Sequence, residues 1–380
     1  MVQECDILVI GAGVAGASAA YELAGAGRVI VLERENAPGY HTTGRSAAVY
    51  TESYGSAVVR ALTLASKAFF DAPPADFAEQ ALLTPRGALF VARQDQLAAL
   101  DRTLAEAKEL VPSVRSVTAA EALELSPALR PEYVAAGIYE PDAMDMDVHA
   151  IHGGFLKGLG RRGGAVVTDA GVTALRREHE TWIVETSKGA FSAPVVVNAA
   201  GAWCDEVAKL AGVTPVGLTP KRRTAITFDA PNDIDVSSWP LTIDVEEGFY
   251  FKPEAGRILA SPADETPSPP CDAQPEEIDI ALIVDRFETA ARFPVRAITH
   301  KWAGLRSFVA DKTPVVGMAG DADGFLWLTG QGGYGIMTSP AMGSAAASLI
   351  QTGALPGHFA RFGLTEDALA PRRLTAQRSP

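Results

Sequence analysis

Cysteine is scarce in this chain: Cys5, Cys204 and Cys271 are the three present, and no two of them form a CxxC pair. An odd, scattered set builds neither a disulfide framework nor a zinc site, and it suits a reducing compartment. Histidine is also thin, at six residues. His149 and His152 are spaced for one helix face, but no HExxH pattern accompanies them, so no metal is expected. Positive charge is in deficit, with 33 Lys and Arg against 46 Asp and Glu and a net charge of −13. Such a chain repels a polyanion, which excludes nucleic acid as a partner. No stretch reaches the roughly 18 uninterrupted apolar residues of a membrane-spanning helix. The apolar start, Ile7 to Tyr21, follows Glu4 and Asp6, has no basic leader, and carries glycines at phosphate-loop spacing. It reads as strand and helix of the mature fold rather than a targeting segment. A cytoplasmic protein is expected, with peripheral contact at the inner face of a membrane left open. Internal repeats, a nucleophile elbow and a Cys–His pairing are all absent. Asp142, Asp145 and Asp147 alternate with Ala and Met and are expected as turn and cap residues, not calcium ligands.

What is there is an ordinary globular composition, 47% hydrophobic and 21% charged over 380 residues, long enough for about two domains. Asp6–Ile10 and Val29–Leu32 are apolar without alternation, as buried parallel strands are. An Ala-rich helix is expected between them over Ala15–Ala26, ended by Gly27. Helical periodicity returns in Ser56–Phe70, where Val58, Leu62, Ala65 and Phe69 share a face, and in Gln96–Leu110. Thr118 and Glu121 form a capping box. Another helix is expected from Asp147 to about Gly160. Strands are expected at Gly87–Val91, Ala165–Val167, Val172–Arg176, Trp182–Glu185, Ala190–Phe191, Val195–Val197, Thr224–Phe228 and Phe249–Phe251. Ser261–Glu277, rich in proline and acids, reads as an exposed loop. A helix at Ile278–Ala291 and strands at Ile298–Trp302 and Phe325–Leu328 follow. The last strand leads through Gly330–Gly335 into a helix of small residues.

Gly11, Gly13 and Gly16 stand in GxGxxG spacing between a strand and a helix. The first permits the tight turn, the second lets a pyrophosphate approach the backbone, and the third lets helix pack on strand. Glu33 ends the second strand, where a carboxylate accepts hydrogen bonds from an adenosine ribose. A nicotinamide enzyme would carry the same fingerprint. Val195–Trp203 and Gly330–Gly335 are further glycine-bearing strand ends, placed where a cofactor crossing a whole domain needs them. Amides before the last helix can stabilise negative charge on a reduced flavin. Arg223 and Arg306 sit in apolar surroundings; each is either salt-bridged or set to receive a substrate carboxylate. Tyr250 faces a site or the core, and Tyr54 lies in a polar stretch, Tyr50–Gly55, that reads as a mobile lid.

The segments GAGVAGASAAYELA, VIVLERE, HTTGRSA, VVNAAGAW, PKRR, FYFKP, WAGLRSF and QGGYGI, in that order, resemble the glycine/D-amino acid oxidase-type flavoproteins. The likeness covers essentially the whole chain and is strongest to the bacterial D-arginine dehydrogenases. It implies an α/β fold with an α+β part: a Rossmann-like FAD-binding domain from 1–50, 141–220 and 306–380, and a mixed-sheet substrate domain from 51–140 and 221–305. It implies non-covalent FAD against Gly11, Gly13, Ala15, Gly16, Glu33, Arg34, Thr43, Gly44, Arg45, Ser46 and Ala47. Further contacts are implied at Val172, Ala200, Gly201, Trp203, Gly304, Arg306, Gly332, Gly333, Tyr334, Gly335 and Ile336. Arg223 and Arg306 would hold a substrate carboxylate, Tyr54 and Tyr250 would orient it, and the Gly333 carbonyl would receive the amine.

Two positions depart from the arginine-specific pattern. Ala88 stands where those relatives carry the glutamate that pairs with a substrate guanidinium, and Val49 where they carry a histidine near the amine. Without the carboxylate, a cationic side chain loses its charge-assisted partner. The expectation is oxidative deamination of D-amino acids with neutral or hydrophobic side chains, by hydride transfer from Cα to flavin N5. A quinone or O2 would take the electrons. Two readings stay open beside it: an oxidase of a secondary amine, glycine derivative or 2-hydroxy acid, and a non-catalytic FAD-binding scaffold.

Overall fold

Strands that are apolar at every position need cover on both faces, and a six-stranded sheet receives it here. In this computed structural model, which describes residues 2–109, 111–232 and 234–375, the sheet runs Ala165–Val167, Val29–Leu32, Ile7–Ile10, Val195–Asn198, Phe325–Thr329, Val315–Met318. Every pairing is parallel except the last. Helices Val14–Leu23 and Ser339–Thr352 cover one face through small side chains around Ala19, Ala20, Ala345 and Ala346. A small sheet containing Thr181–Thr186 and Gly189–Ala193 covers the other, where Trp182 and Phe191 pack on Leu8, Ile30 and Leu32.

A second, nine-stranded sheet has long strands Thr219–Phe228 and Ile298–Phe308 paired antiparallel at one side. It continues through Arg257–Ser261, Tyr250–Glu254 and Leu241–Asp244 to Ala88–Ala92 and Ala136–Glu140. Its one face is apolar: Ile226, Phe228, Phe251 and Ile258 pack on Phe287 of helix Glu277–Ala290. Alternate residues point the other way. Arg223, Gly304, Tyr250, Ile243 and Phe90 fall on that second face by register, and it floors a cleft against the first sheet.

Several expected elements shift, for identifiable reasons. The first helix stops at Leu23, not Ala26, with Ala24 as its C-cap. Helix Ala57–Asp71 buries Val59, Leu62, Thr63, Ser66 and Phe70 most deeply, while Val58, Ala65 and Phe69 pack against the core half-buried. Thr63 and Ser66 donate to the carbonyls of Val59 and Leu62 at 2.9 and 2.8 Å, which allows polar residues inside and defeats a reading by hydrophobicity. The third helix is Leu97–Lys108; its expected last residue, Leu110, lies outside the described residues. Asp147 caps helix Val148–Arg161 as expected, but Asp145 is a strand residue ion-paired with Arg86 and Lys252. The final helix starts at Ser339, after a turn, rather than directly on Gly335.

The largest revision concerns Ser261–Glu277. It is no free loop: Asp264 and Ala273 are buried, and Thr266–Pro267 pairs with Lys221 and Arg222. Among the described residues no helix is long and apolar enough to cross a membrane, and no group of three or more acidic, His or Cys side chains is set to hold a metal.

Gly343 lets helix Ser339–Thr352 touch helix Val14–Leu23, since a Cβ there would lie 2.7 Å from the Ser18 carbonyl carbon. Gly343→Val should therefore lower the melting temperature, costing about 1–3 kcal/mol. Gly25→Ala, which adds a methyl in open space, should leave it nearly unchanged in the same thermal unfolding experiment.

Candidate functional site

A cleft of about 800 Å³ runs between the two sheets. At one end lies the GxGxxG turn. Gly11 adopts φ +102°, and a Cβ on it would strike the Ala199 carbonyl oxygen at 2.4 Å, so only glycine fits. A Cβ on Gly16 would lie 1.9 Å from the Gly11 carbonyl oxygen; this residue brings helix against turn and does not itself line the cleft. Glu33 ends its strand with a buried carboxylate. One oxygen accepts from the Ala12 amide and the other from the Glu35 amide, both at 2.9 Å. Thr43 accepts from the Val14 amide at 3.0 Å, and His152 donates from Nε2 to the Ala12 carbonyl at 2.8 Å. Burial holds the His152 imidazole below its ordinary pKa, which keeps it neutral in this role. Arg34 lies over the Trp203 ring, 4.7 Å from its centre. Ala15, Val172, Ala200 and Gly201 complete this end.

The middle of the cleft is bordered by Thr43, Arg45, Ser46, Ala47 and Gly304. The Arg45 guanidinium is tied to the carbonyls of Ala273 and Ala303 and to Asp272. Gly44 turns away from the cleft; a Cβ on it would lie 2.7 Å from the Gly39 carbonyl oxygen, so it compacts the loop.

At the far end the sheet register brings Arg223 and Arg306 together. Lys221 pairs with Arg306 and Arg223 with Gly304, so the two arginines rise diagonally from adjacent strands on one face. Arg223 Nε donates to the Asp264 carbonyl at 2.8 Å, while its buried Nη2 has no hydrogen-bond partner and sits 3.6 Å from Glu265. No carboxylate of the described residues lies within ion-pair distance of Arg306. Its guanidinium rests on Gly333, where a Cβ would fall 2.8 Å from the Arg306 Cζ. Tyr54 and Tyr250 line the same end. Burial raises the Tyr54 phenol against the pull of Arg306. Burial also pushes Tyr250 up, but Arg306 and Arg223 together bring it below the ordinary range. Arg306 stays firmly cationic: burial works against its charge, and the two tyrosines outweigh it. Two positive groups, one of them with an unbonded buried donor, and no full set of carboxylates leave this end of the cleft electropositive.

Besides Gly16 and Gly44, two expected residues do not line the cleft. Ala88 is fully covered; it shares a face with Phe90 and Leu241, whose longer side chains reach the space that its methyl does not. Tyr334 packs behind Tyr54, with ring centres 5.2 Å apart. Val49, Gly332, Gly335 and Ile336 do line it. Missed from the sequence are Met146, Phe90, Leu241 and Ile243, an apolar wall of the cleft, together with Glu247, Thr329 and Gln331. Thr329 Oγ1 and Gln331 Nε2 are buried polar atoms with no protein partner. The QGG run could have pointed to Gln331; the wall residues sit in strands that have no sequence signal beyond short apolar runs.

A family model described as "FAD dependent oxidoreductase" (DAO) matches residues 6–349. The chain belongs to this family. The glycine oxidase of Geobacillus kaustophilus (strain HTA426) is 23% identical over 378 residues, covering 96% of this chain and 98% of that one. Among solved structures, L-proline dehydrogenase from P. horikoshii superposes with a TM-score of 0.83 at 21% identity over all of both chains. L-α-glycerophosphate oxidase from Mycoplasma pneumoniae, with FAD bound, gives 0.82 at 18% identity, covering 92% of this chain and 95% of that one. The family binds FAD, and the cleft suits it. The turn admits no side chain at Gly11, Gly13 lines the cleft without one, Glu33 stands at the strand end, and the orphaned Thr329 and Gln331 atoms are available to a bound polar ring.

Glu33→Ala should weaken FAD binding roughly tenfold or more, because two amides of the turn lose a charged acceptor. Titration of the apoprotein with FAD, followed by flavin fluorescence, measures this.

Proposed function

We propose that this FAD-dependent oxidoreductase deaminates small amino acids, with D-amino acids bearing neutral or apolar side chains as its substrates. The observation that carries the reading is the Arg223–Arg306 pair, two guanidiniums on one sheet face, one of them with a spare donor, with apolar side chains along the same cleft. A carboxylate between them is pinned in two directions, which aims the adjoining Cα–H bond along the cleft and supplies the proximity contribution to rate. The same positive field lowers the pKa of the substrate ammonium, so the amine becomes neutral and able to push electrons toward Cα. The Gly333 carbonyl is the acceptor proposed for the amine N–H. FAD, when bound, supplies the hydride acceptor. The residues proposed to hold it are Gly11, Gly13, Glu33, Arg34, Thr43, Ser46, Ala47, Trp203, Thr329, Gln331 and Gly332. The resulting imino acid is hydrolysed by water to a 2-oxo acid and ammonia.

Val49, Met146, Phe90, Leu241 and Ile243 set five apolar side chains against the single carboxylate of Glu247, which favours a neutral substrate side chain over a cationic one. The D configuration is drawn from the resemblance to D-arginine dehydrogenases. The fold does not choose it, because an L-proline dehydrogenase shares this fold. A second reading, oxidation of glycine or a secondary amine, is favoured by the full-length similarity to a glycine oxidase. Quinone and O2 are the proposed acceptors, and peroxide release in air separates them.

Anaerobic loss of the flavin band near ~450 nm, recorded with D- and L-amino acids and secondary amines, tests the substrate. Neutral D-amino acids should bleach it faster than D-arginine. Bleaching by L-amino acids or secondary amines alone would overturn the D-amino acid assignment. Arg306→Ala should raise KM on the order of 100-fold, since two charge-assisted hydrogen bonds to the carboxylate are lost; an unchanged KM would remove the arginine from the site.

A further inference from the structure

Tyr54 differs from Arg223, Arg306 and Tyr250, the other side chains proposed to meet substrate, because no helix or strand carries it. It falls between strand Val49–Tyr50 and helix Ala57–Asp71. Packing supports it from behind only in part, through the edge of the Tyr334 ring 5.2 Å away. A second cavity of about 260 Å³ lies on its far side, bordered by Ser53, Gly55, Glu140 and Tyr334, and Tyr54 and Phe90 form a wall common to both spaces. Dispersion contacts that would hold a side chain are missing wherever such a space adjoins it. Tyr54 nevertheless stands within interaction range of Arg306, so another constraint has to place it.

Glu140 supplies that constraint. It ends strand Ala136–Glu140, is 1% exposed, and is held in register by its pairing with Ala88. Its carboxyl oxygens leave the sheet and accept from the Glu52 amide at 3.0 Å and from the Ser53 hydroxyl. Both donors lie within two residues of Tyr54. No cation of the described residues lies within ion-pair distance of Glu140, and burial pushes its carboxyl up against the pull of these two hydrogen bonds. A buried acid without a counter-ion is a burden on the fold unless its hydrogen bonds compensate. The bonds that do so here all go to this one segment. At its other end the segment turns at Gly55, φ +93°, where a Cβ would meet Val59 at 2.8 Å and Tyr334 at 3.1 Å.

We propose that Glu140 is a positioning residue for substrate oxidation: from its anchorage in the nine-stranded sheet it holds residues 52 and 53, and thereby keeps Tyr54 in place beside Arg306. The role is exerted through Tyr54 and rests on the reading of the cleft as an amino acid site.

The test is a double-mutant cycle on the FAD-loaded enzyme, with Glu140→Ala and Glu140→Gln made in the parent and in Tyr54→Phe. Two quantities are measured: KM and kcat for the best substrate of the anaerobic panel, and the dissociation constant of pyruvate, followed by flavin absorbance without turnover. Glu140→Ala should raise KM and the pyruvate constant about tenfold, the size expected for losing hydrogen bonds to a buried carboxyl, with a smaller change in kcat. Glu140→Gln should restore both, since its amide oxygen still accepts from the Glu52 amide and its NH2 can donate to the Ser53 oxygen. In Tyr54→Phe the Glu140→Ala effect should shrink below about twofold. Equal effects of Glu140→Ala in both backgrounds, or a lowered melting temperature with unchanged KM, would overturn the proposal. A Tyr54→Phe enzyme with parental KM would remove Tyr54 from the substrate contacts and the proposal with it. If neither pyruvate nor any amino acid perturbs the parental flavin, it is the reading of the cleft that fails, and the role of Glu140 falls with it.

Discussion

A buried guanidinium without a counter-ion is among the more expensive things a fold can contain, and the far end of this cleft is arranged around two that are sparsely paired. Arg306 has no carboxylate partner among the described residues, and Arg223 keeps one buried nitrogen unbonded. Neighbouring polar groups hold the charges in place without cancelling them. The Asp264 carbonyl fixes Arg223, tyrosines flank Arg306, and Gly333 brings backbone to within contact of the guanidinium. What remains is a pair of positive charges that the neighbouring protein groups leave largely uncompensated.

The alternation of a β-strand is what makes this affordable in structural terms. Arg222 and Arg223 are consecutive, so they leave opposite faces of the sheet. Arg222 faces Asp279, Glu276 and Asp264, and is neutralised there. Arg223 faces the cleft with only Glu265 near it, and that carboxylate is also claimed by Lys221 and Lys312. A shift of one residue in register would exchange the two environments, placing the neutralised arginine in the cleft. The long pairing of Thr219–Phe228 with Ile298–Phe308 therefore fixes site chemistry as well as fold.

How much of this could be read from the residues depends on range. The turn at Gly11–Gly16, Glu33, and the flanking strands are local patterns, and they stand where spacing puts them. The arginines were visible as charges in apolar surroundings, though nothing local reveals that they share a face. Thr63 and Ser66 misled because helix carbonyls satisfied their hydroxyls, a solution invisible to a hydrophobic count. Ser261–Glu277 misled more: proline and acid content resembled a solvent loop, while Asp264 and Asp272 were there to meet Arg223, Thr224 and Arg45 across the chain. Ala88 faces the expected side of its strand, yet longer neighbours define the wall.

That same strap touches both halves of the cleft, Arg45 beside the cofactor end through Asp272 and Arg223 at the opposite end through Asp264. Substitutions of Asp264 or Asp272 would therefore loosen contacts at two places along the cleft. Phe90, Leu241 and Ile243 contact neither arginine by hydrogen bond or charge, and they rise from strands whose pairing is made by backbone alone. New substrate ranges would then evolve by exchanging side chains on this wall, with the strap and the arginine pair inherited intact.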